Sequence, residues 1–350
     1  MGSIKLPKKS IEFFQNNYEE IFQAGALAEG KWNLESSTIV KEFTGMKHSI
    51  PVSSNGTGMV AMMQLMKHLY SRDTVLIQSN TMYGVKTMVN ASGLELKGII
   101  DCDPIFLVPN LEMIEKYTNT FNNDQKSRLI ILISHIGGII NPWMEEIAQY
   151  CKNENIMLLE DCAHSYAALL NNKHSGSYGD AGVYSFYSTK AIFSGEGGMI
   201  VTDNDELGEL AKKYIMYDRF DRKLPVANNI RQSELQALML TGVLREVNEI
   251  LINKKTTADK YIKCCKSLGL EYIQQDNNNI GNYYKFILSS ENVNTQERYK
   301  ELRKVTSKVY DYALGESIEI INSHVCLPIW YGQEDSVTES TIQELNSVFS

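Results

Sequence analysis

Asp161 and Lys190 are the residues of this chain best placed for chemistry. Asp161 follows Glu160 at the C-terminal end of an apolar run, Ile156-Met157-Leu158-Leu159. Lys190 follows a second run, Gly182-Val183-Tyr184-Ser185-Phe186. Short apolar runs of this kind read as buried parallel strands. In open α/β sheets, ligands bind beyond the carboxyl ends of such strands. A lysine amine placed there can form an imine with an aldehyde. An acid at a neighbouring strand end can keep a pyridine nitrogen protonated, so that the ring accepts electrons. Pyridoxal 5'-phosphate chemistry needs that pair. Singly, each residue has a plainer reading: a solvated surface lysine, and an aspartate forming a turn or helix N-cap. Their order is more specific, because Lys190 is followed by Ser194-Gly195-Glu196-Gly197-Gly198 and a further run, Met199-Ile200-Val201-Thr202.

These residues must be held by an alternation of strands and helices. Strand-like runs at 49–52, 74–77, 94–100 and 129–133 alternate with helical patterns, which gives an α/β fold with a mostly parallel sheet. Near the N-terminus, 11–27 has helical spacing. Gly30-Lys31-Trp32-Asn33 breaks it, and a short helix is expected over 36–43. The stretch 119–127 reads as a polar loop. Asp101 and Asp103 read as a turn before Pro104. Ser233 opens what reads as one long helix, reaching about Lys266. After Gly269 the pattern is that of a smaller α+β unit. The turn Ser53-Ser54-Asn55-Gly56-Thr57-Gly58, between a strand and a helix, suits an anion, because small residues let backbone amides approach and the helix dipole assists. It reads equally as a plain strand-to-helix turn.

With 350 residues, the chain is long enough for one large domain and a smaller one. Its net charge of −8 argues against a nucleic-acid or anionic-membrane partner. No apolar run is long enough for a transmembrane helix, and the N-terminus lacks the apolar core of a signal peptide, so a cytoplasmic location is expected. The six cysteines are scattered without metal spacing, and no metal site is expected.

From Glu160 to Gly198 the chain resembles the DegT/StrS family of nucleotide-sugar aminotransferases, a branch of the fold-type I pyridoxal-phosphate enzymes. Four sub-motifs carry the resemblance in order. They are Glu160-Asp161-Cys162-Ala163-His164, Gly176-Ser177-Tyr178-Gly179-Asp180, Ser185-Phe186-Tyr187-Ser188-Thr189-Lys190 and Gly195-Glu196-Gly197-Gly198. Asn229-Ile230-Arg231-Gln232-Ser233-Glu234-Leu235-Gln236-Ala237 is similar to a further family signature. The resemblance implies a seven-stranded large domain over 1–235, including an N-terminal segment, with a connecting helix and small C-terminal domain over 236–350. Lys190 and Asp161 are the implied catalytic residues. Gly56, Thr57 and Ser185 are implied at the cofactor phosphate, with Asn229 reaching it from the partner subunit of a homodimer. Ala163 would leave room for the ring face. His164 would orient Asp161 or contact the ring oxygen. The family places an aromatic residue over the ring just after Asn80-Thr81. Met82 occupies that position here and Tyr83 follows, and the reading leans to Tyr83. His135 is a candidate substrate contact and equally a structural histidine. Arg219, Arg222 and Arg231 are candidates for a diphosphate or a donor carboxylate, and equally for surface ion pairs.

The implied reaction moves an amine from L-glutamate to a nucleotide-diphosphate keto-sugar. A 4-keto-6-deoxyhexose aminated at C4 is the first expectation, with C3 amination as the alternative. Relatives that dehydrate sugars carry histidine where Lys190 stands, so lysine favours transamination over dehydration. Other lyase chemistry, or a non-catalytic sugar-binding regulator, are the remaining readings.

Overall fold

The computed structural model describes residues 5–217, 224, 226–273, 278–304, 307–315 and 318–350. The strands run β1 (His48–Val52), β2 (Thr74–Gln78), β3 (Glu95–Ile100), β4 (Leu129–Ser134), β5 (Met157–Cys162), β6 (Leu169–Leu170), β7 (Lys173–His174), β8 (Ala181–Ser185), β9 (Gly198–Thr202), β10 (Asn279–Ile280), β11 (Phe286–Ser289) and β12 (His324–Leu327). Between them lie α1 (Lys8–Ala24), α2 (Lys31–Thr44), α3 (Asn55–Tyr70), α4 (Tyr83–Ala91), α5 (Leu111–Thr118), α6 (Asn123–Ser127), α7 (Met144–Asn153), α8 (Asp205–Ile215), α9 (Glu234–Leu244), α10 (Val247–Leu268), α11 (Val293–Tyr299), α12 (Glu319–Asn322) and α13 (Asp335–Phe349).

The central sheet has seven strands in the order β1-β9-β8-β5-β4-β2-β3. Only β9 runs against its neighbours; the other pairings are parallel. Every residue of β4, β5 and β8 is buried, as strands covered on both faces require. Side chains alternate between the faces. Ile130, Leu132 and Leu159 pack with Met59, Met62 and Leu207 of α3 and α8. Ile131, Ile133 and Leu158 pack with Ile114, Met144 and Ile147 of α5 and α7 on the opposite face. The same alternation carries Asp161 to the α3 face and Glu160 to the α7 face. Gly58 sits where α3 crosses the sheet. A Cβ there would lie 2.8 Å from Val183 Cγ1, so the helix approaches this closely only with glycine.

The C-terminal part of the chain pairs β11 with β12, antiparallel, and packs them against α10 and α13. The short strands β6, β7 and β10 form a second small sheet. At two residues each they show no periodicity to read.

Three expected boundaries change. α2 starts at Lys31, where the sequence pattern breaks, because its first amides are capped from far along the chain. The Glu234 carboxylate accepts from the backbone N–H of Gly30, Trp32 and Asn33, each at 2.9 Å. The polar stretch 119–127 contains α6, held by a capping box between Asn122 and Gln125. The helix opened by Ser233 ends at Leu244, and α10 starts at Val247. The two helices share one core at their junction, through Leu240 and Val243 of α9 and Val247 and Ile250 of α10, and part at their far ends: Ala237 and Leu238 pack on Ile21 and Trp32, whereas Ala258, Tyr261 and Cys265 pack with Phe286 and Leu327. Asp103 does form the expected turn, its Oδ1 accepting from the amides of Ile105 and Phe106.

Candidate active site

The end of β5 holds two buried carboxylates. Glu160 is fully saturated: Oε1 accepts the amides of Tyr178 and Gly179 at 2.7 Å each. Oε2 accepts the Gly176 amide at 2.7 Å and His135 Nε2 at 2.9 Å. His135 Nδ1 accepts the Asn141 amide at 3.2 Å, so the ring proton sits on Nε2 and is donated to Glu160. Glu160 therefore shapes the 176–179 loop. His135, Glu160 and Cys162 place potential ligand atoms within 4.8 Å of one another. The hydrogen bonds above occupy the histidine and carboxylate atoms that a metal would need.

Asp161 faces the other way. Its Oδ1 accepts from Asn55 Nδ2 at 3.0 Å and from the Ala163 amide at 3.1 Å, and its Oδ2 accepts from Ser134 Oγ at 3.2 Å. Asn55 also donates to the Val183 carbonyl at 2.8 Å, and Ser134 Oγ pairs with Thr81 Oγ1 at 2.7 Å. The carboxylate is thus held rigidly on three sides while it lines a cavity of about 290 Å³. Oδ2 retains capacity for a further donor.

The same cavity is lined by Ser54 and Gly56 at the start of α3, by Ser185 at the end of β8, and by Lys190 in the loop before β9. Ser54 caps α3, and its hydroxyl accepts the Thr57 amide. Lys190 is half-buried, with its Nζ 5.2 Å from the centre of the Tyr284 ring. Burial lowers its amine to about 8; Asp161 opposes that shift and Lys285 adds to it. His164 is buried, its ring 4.4 Å from Tyr284 and 6.2 Å from Tyr310. Burial, with the charges of Lys190 and Lys285, pushes it well below the ordinary histidine range. Its Nδ1 has no partner among the described residues.

The model of the DegT/DnrJ/EryC1/StrS aminotransferase family matches residues 8–332. The chain belongs to that family. A GDP-perosamine synthase of Vibrio cholerae is 25% identical over 268 residues, 73% of this chain and 69% of that protein. The matches span 44–69% of the length of such curated relatives, 50% for one from Micromonospora echinospora. A family aminotransferase from Brucella abortus superposes with a TM-score of 0.81 at 18% identity, over 97% of this chain and 96% of that one. A GDP-4-keto-6-deoxymannose-3-dehydratase with bound GDP-perosamine gives a TM-score of 0.79 at 16% identity, over 98% and 99%. At these identities the two structures speak for the fold alone.

Aminotransferases of this family imply pyridoxal phosphate, and the residues present fit it. A buried carboxylate and a lysine with a lowered amine share one cavity. Small and hydroxyl-bearing residues stand at a helix N-terminus beside it, and an unpartnered imidazole nitrogen lies at its edge.

Not every residue singled out by the sequence reaches this site. Asp161, Lys190, Gly56, Ala163, His164, Ser185 and Met82 line the cavity. Tyr83, toward which the sequence reading leaned, does not; it opens α4 with 58% of its surface exposed, whereas Met82 borders the cavity. Thr57 is turned away, its hydroxyl donating to the Ser54 carbonyl and accepting the Ser54 amide, beside an adjoining groove of about 430 Å³. His135 borders the cavity but both its ring nitrogens are engaged, which makes it structural. Arg231 lies elsewhere, paired with Glu29 at 2.6 Å and donating to the Ile215 carbonyl at 3.0 Å. His164 makes no hydrogen bond to Asp161; Asn55, Ser134 and the Ala163 amide orient that carboxylate instead. Asn229 is exposed and outside its own cavity. Arg219 and Arg222 lie outside the described residues.

Sequence reasoning missed Asn55, Ser134, Tyr284 and Tyr310. Asn55 stood in the recognised turn but registered only as polar bulk. Ser134 pairs directly with Asp161 in the parallel register, a signal that strand alignment would have supplied. Tyr284 and Tyr310 come from the C-terminal part of the chain, with no local pattern to mark them.

Proposed function

We propose that this chain is a pyridoxal-phosphate-dependent aminotransferase. It moves the amine of L-glutamate to a nucleotide-linked 4-keto-6-deoxyhexose, at C4. The observation that carries this reading is the shared cavity of Asp161 and Lys190, one a fixed carboxylate and the other an amine lowered to about 8. When bound, the cofactor supplies an electron sink. Asp161 would hold the ring nitrogen in its charged form by ion pairing. Ser54, Gly56 and Ser185 would receive the phosphate, helped by the N-terminus of α3. Ala163 and Met82 would lie against the ring, where the thioether is a suitable apolar contact. Lys190 Nζ takes the proton from Cα of glutamate. In the second half-reaction it delivers a proton to the sugar carbon that gains the amine. Glutamate leaves as 2-oxoglutarate, and the sugar carbonyl becomes CH–NH₂.

The chain acts as a homodimer in this reading, with exposed Asn229 completing the partner's phosphate site. Named relatives include a GDP-perosamine synthase, which supports C4 chemistry on a nucleotide sugar; amination at C3 is the alternative. Lysine at position 190 favours amine transfer over dehydration, because it can hold the cofactor covalently between turnovers.

The test is to supply the full chain with pyridoxal phosphate, L-glutamate and a panel of UDP-, GDP- and dTDP-linked keto-sugars, reading products by mass spectrometry and NMR. An amino-sugar formed with matching 2-oxoglutarate is expected, the new amine at C4. Release of ammonia with loss of a sugar hydroxyl would replace transamination by dehydration.

A further inference from the structure

Tyr310, from the C-terminal part of the chain, lines the cavity, and close by the Tyr284 ring faces two ammonium groups. Lys190 Nζ lies 5.2 Å from the Tyr284 ring centre and Lys285 Nζ lies 5.5 Å from it. The segment is tightly fixed. Asn282 donates to the carbonyls of His164 and Tyr166, and its Oδ1 accepts the Tyr284 amide at 2.9 Å. The amides of Asn282 and Lys285 donate to the carbonyls of Gly138 and Gly137. Gly138 has φ +97°, and a Cβ there would lie 2.8 Å from the Tyr284 nitrogen, so this docking requires glycine. Lys285 Nζ meets the Ser307 hydroxyl at 3.3 Å and makes no ion pair among the described residues.

We propose that Lys285 is a positioning residue for Lys190, acting across the Tyr284 ring to keep Lys190 available as a free amine. The inference rests on Lys190 being the reactive lysine. Two like charges sharing one desolvated ring repel, and the one that can lose its proton more cheaply is the deeper one. Burial is the main cause that lowers Lys190, and Lys285 adds to it against the pull of Asp161. Besides Asp161, His164 interacts with Lys190, the Tyr284 ring lies against its Nζ, and Tyr187, Glu196 and Tyr310 line the same cavity. Among the described residues, Lys285 is the cation that acts on Lys190. The same charge also acts on Lys254, a buried lysine of α10 whose amine burial lowers to about 7.

The test uses the full-length chain freed of cofactor. Labelling of Lys190 by trinitrobenzenesulfonate is followed against pH by peptide mass spectrometry, with exposed lysines of the same sample as controls. Lys285→Met moves the Lys190 midpoint up by roughly half a unit to one unit. Lys285→Arg leaves it in place, and added salt narrows the gap between Lys285→Met and the unaltered chain. An unmoved midpoint in Lys285→Met overturns the proposal, as does an ordinary lysine midpoint for Lys190 in the unaltered chain. Because labelling needs no cofactor, the result stands apart from whether pyridoxal phosphate binds.

Discussion

Glu160 and Asp161 are adjacent on β5, both buried, yet they face different surroundings. Glu160 turns to the α7 side and spends both oxygens on three backbone amides and a histidine. Asp161 turns to the α3 side, where two side chains and one amide hold it against an open cavity. A strand end thus divides a pair of identical charges between architecture and chemistry by the alternation of side chains alone. Burial does not separate them; what separates them is whether their acceptor capacity is used up within the protein.

Substitution should cross that division. In the proposed reaction, Asp161→Asn lowers kcat by roughly 10²–10⁴-fold, because an amide cannot hold the ring proton, while the urea midpoint changes little. A near-normal rate would remove Asp161 from its role. Glu160→Ala strands the buried Gly176 amide, the partly buried amides of Tyr178 and Gly179 and the buried His135 ring, and costs about 3–5 kcal/mol of stability, read as a fall in the urea midpoint. Its folded fraction keeps a cavity with Asp161 and Lys190 in place. Stability unchanged in Glu160→Ala would contradict the structural assignment. Asn55→Ala removes one charge-assisted hydrogen bond from Asp161 and is expected to cost about ten-fold in kcat. Tyr83→Phe is the smallest change: the exposed phenol lies off the cavity, and kcat and KM stay within roughly two-fold. A large effect there would return the ring contact to Tyr83.

The sequence was legible where function and local pattern coincide. The apolar runs of β4 and β5 announced buried parallel strands, and the spacing of Asp161, Ser185 and Lys190 placed three cavity residues from one stretch. Long-range partners were not legible. Glu234 caps α2 across most of the large domain, and nothing near Lys31 marks that helix start. Asn55 reaches Asp161 only because α3 lies on the face that Asp161 chooses. Tyr284 and Lys285 sit in a part of the chain whose short strands give little periodicity, so their approach to Lys190 becomes visible only after folding. For His135 and Arg231 the sequence left a substrate contact and a structural role open, because the partners that engage them, Glu160 in one case and Glu29 in the other, are distant in the chain.

The absorption spectrum of the purified full chain with pyridoxal phosphate, before and after L-glutamate, tests the central claim most directly. The account predicts a visible band that Lys190→Ala lacks, and that L-glutamate alone converts to a near-ultraviolet band as the amine passes to the cofactor. If saturating pyridoxal phosphate gives the unaltered chain no visible band, Lys190 does not hold it and the account fails.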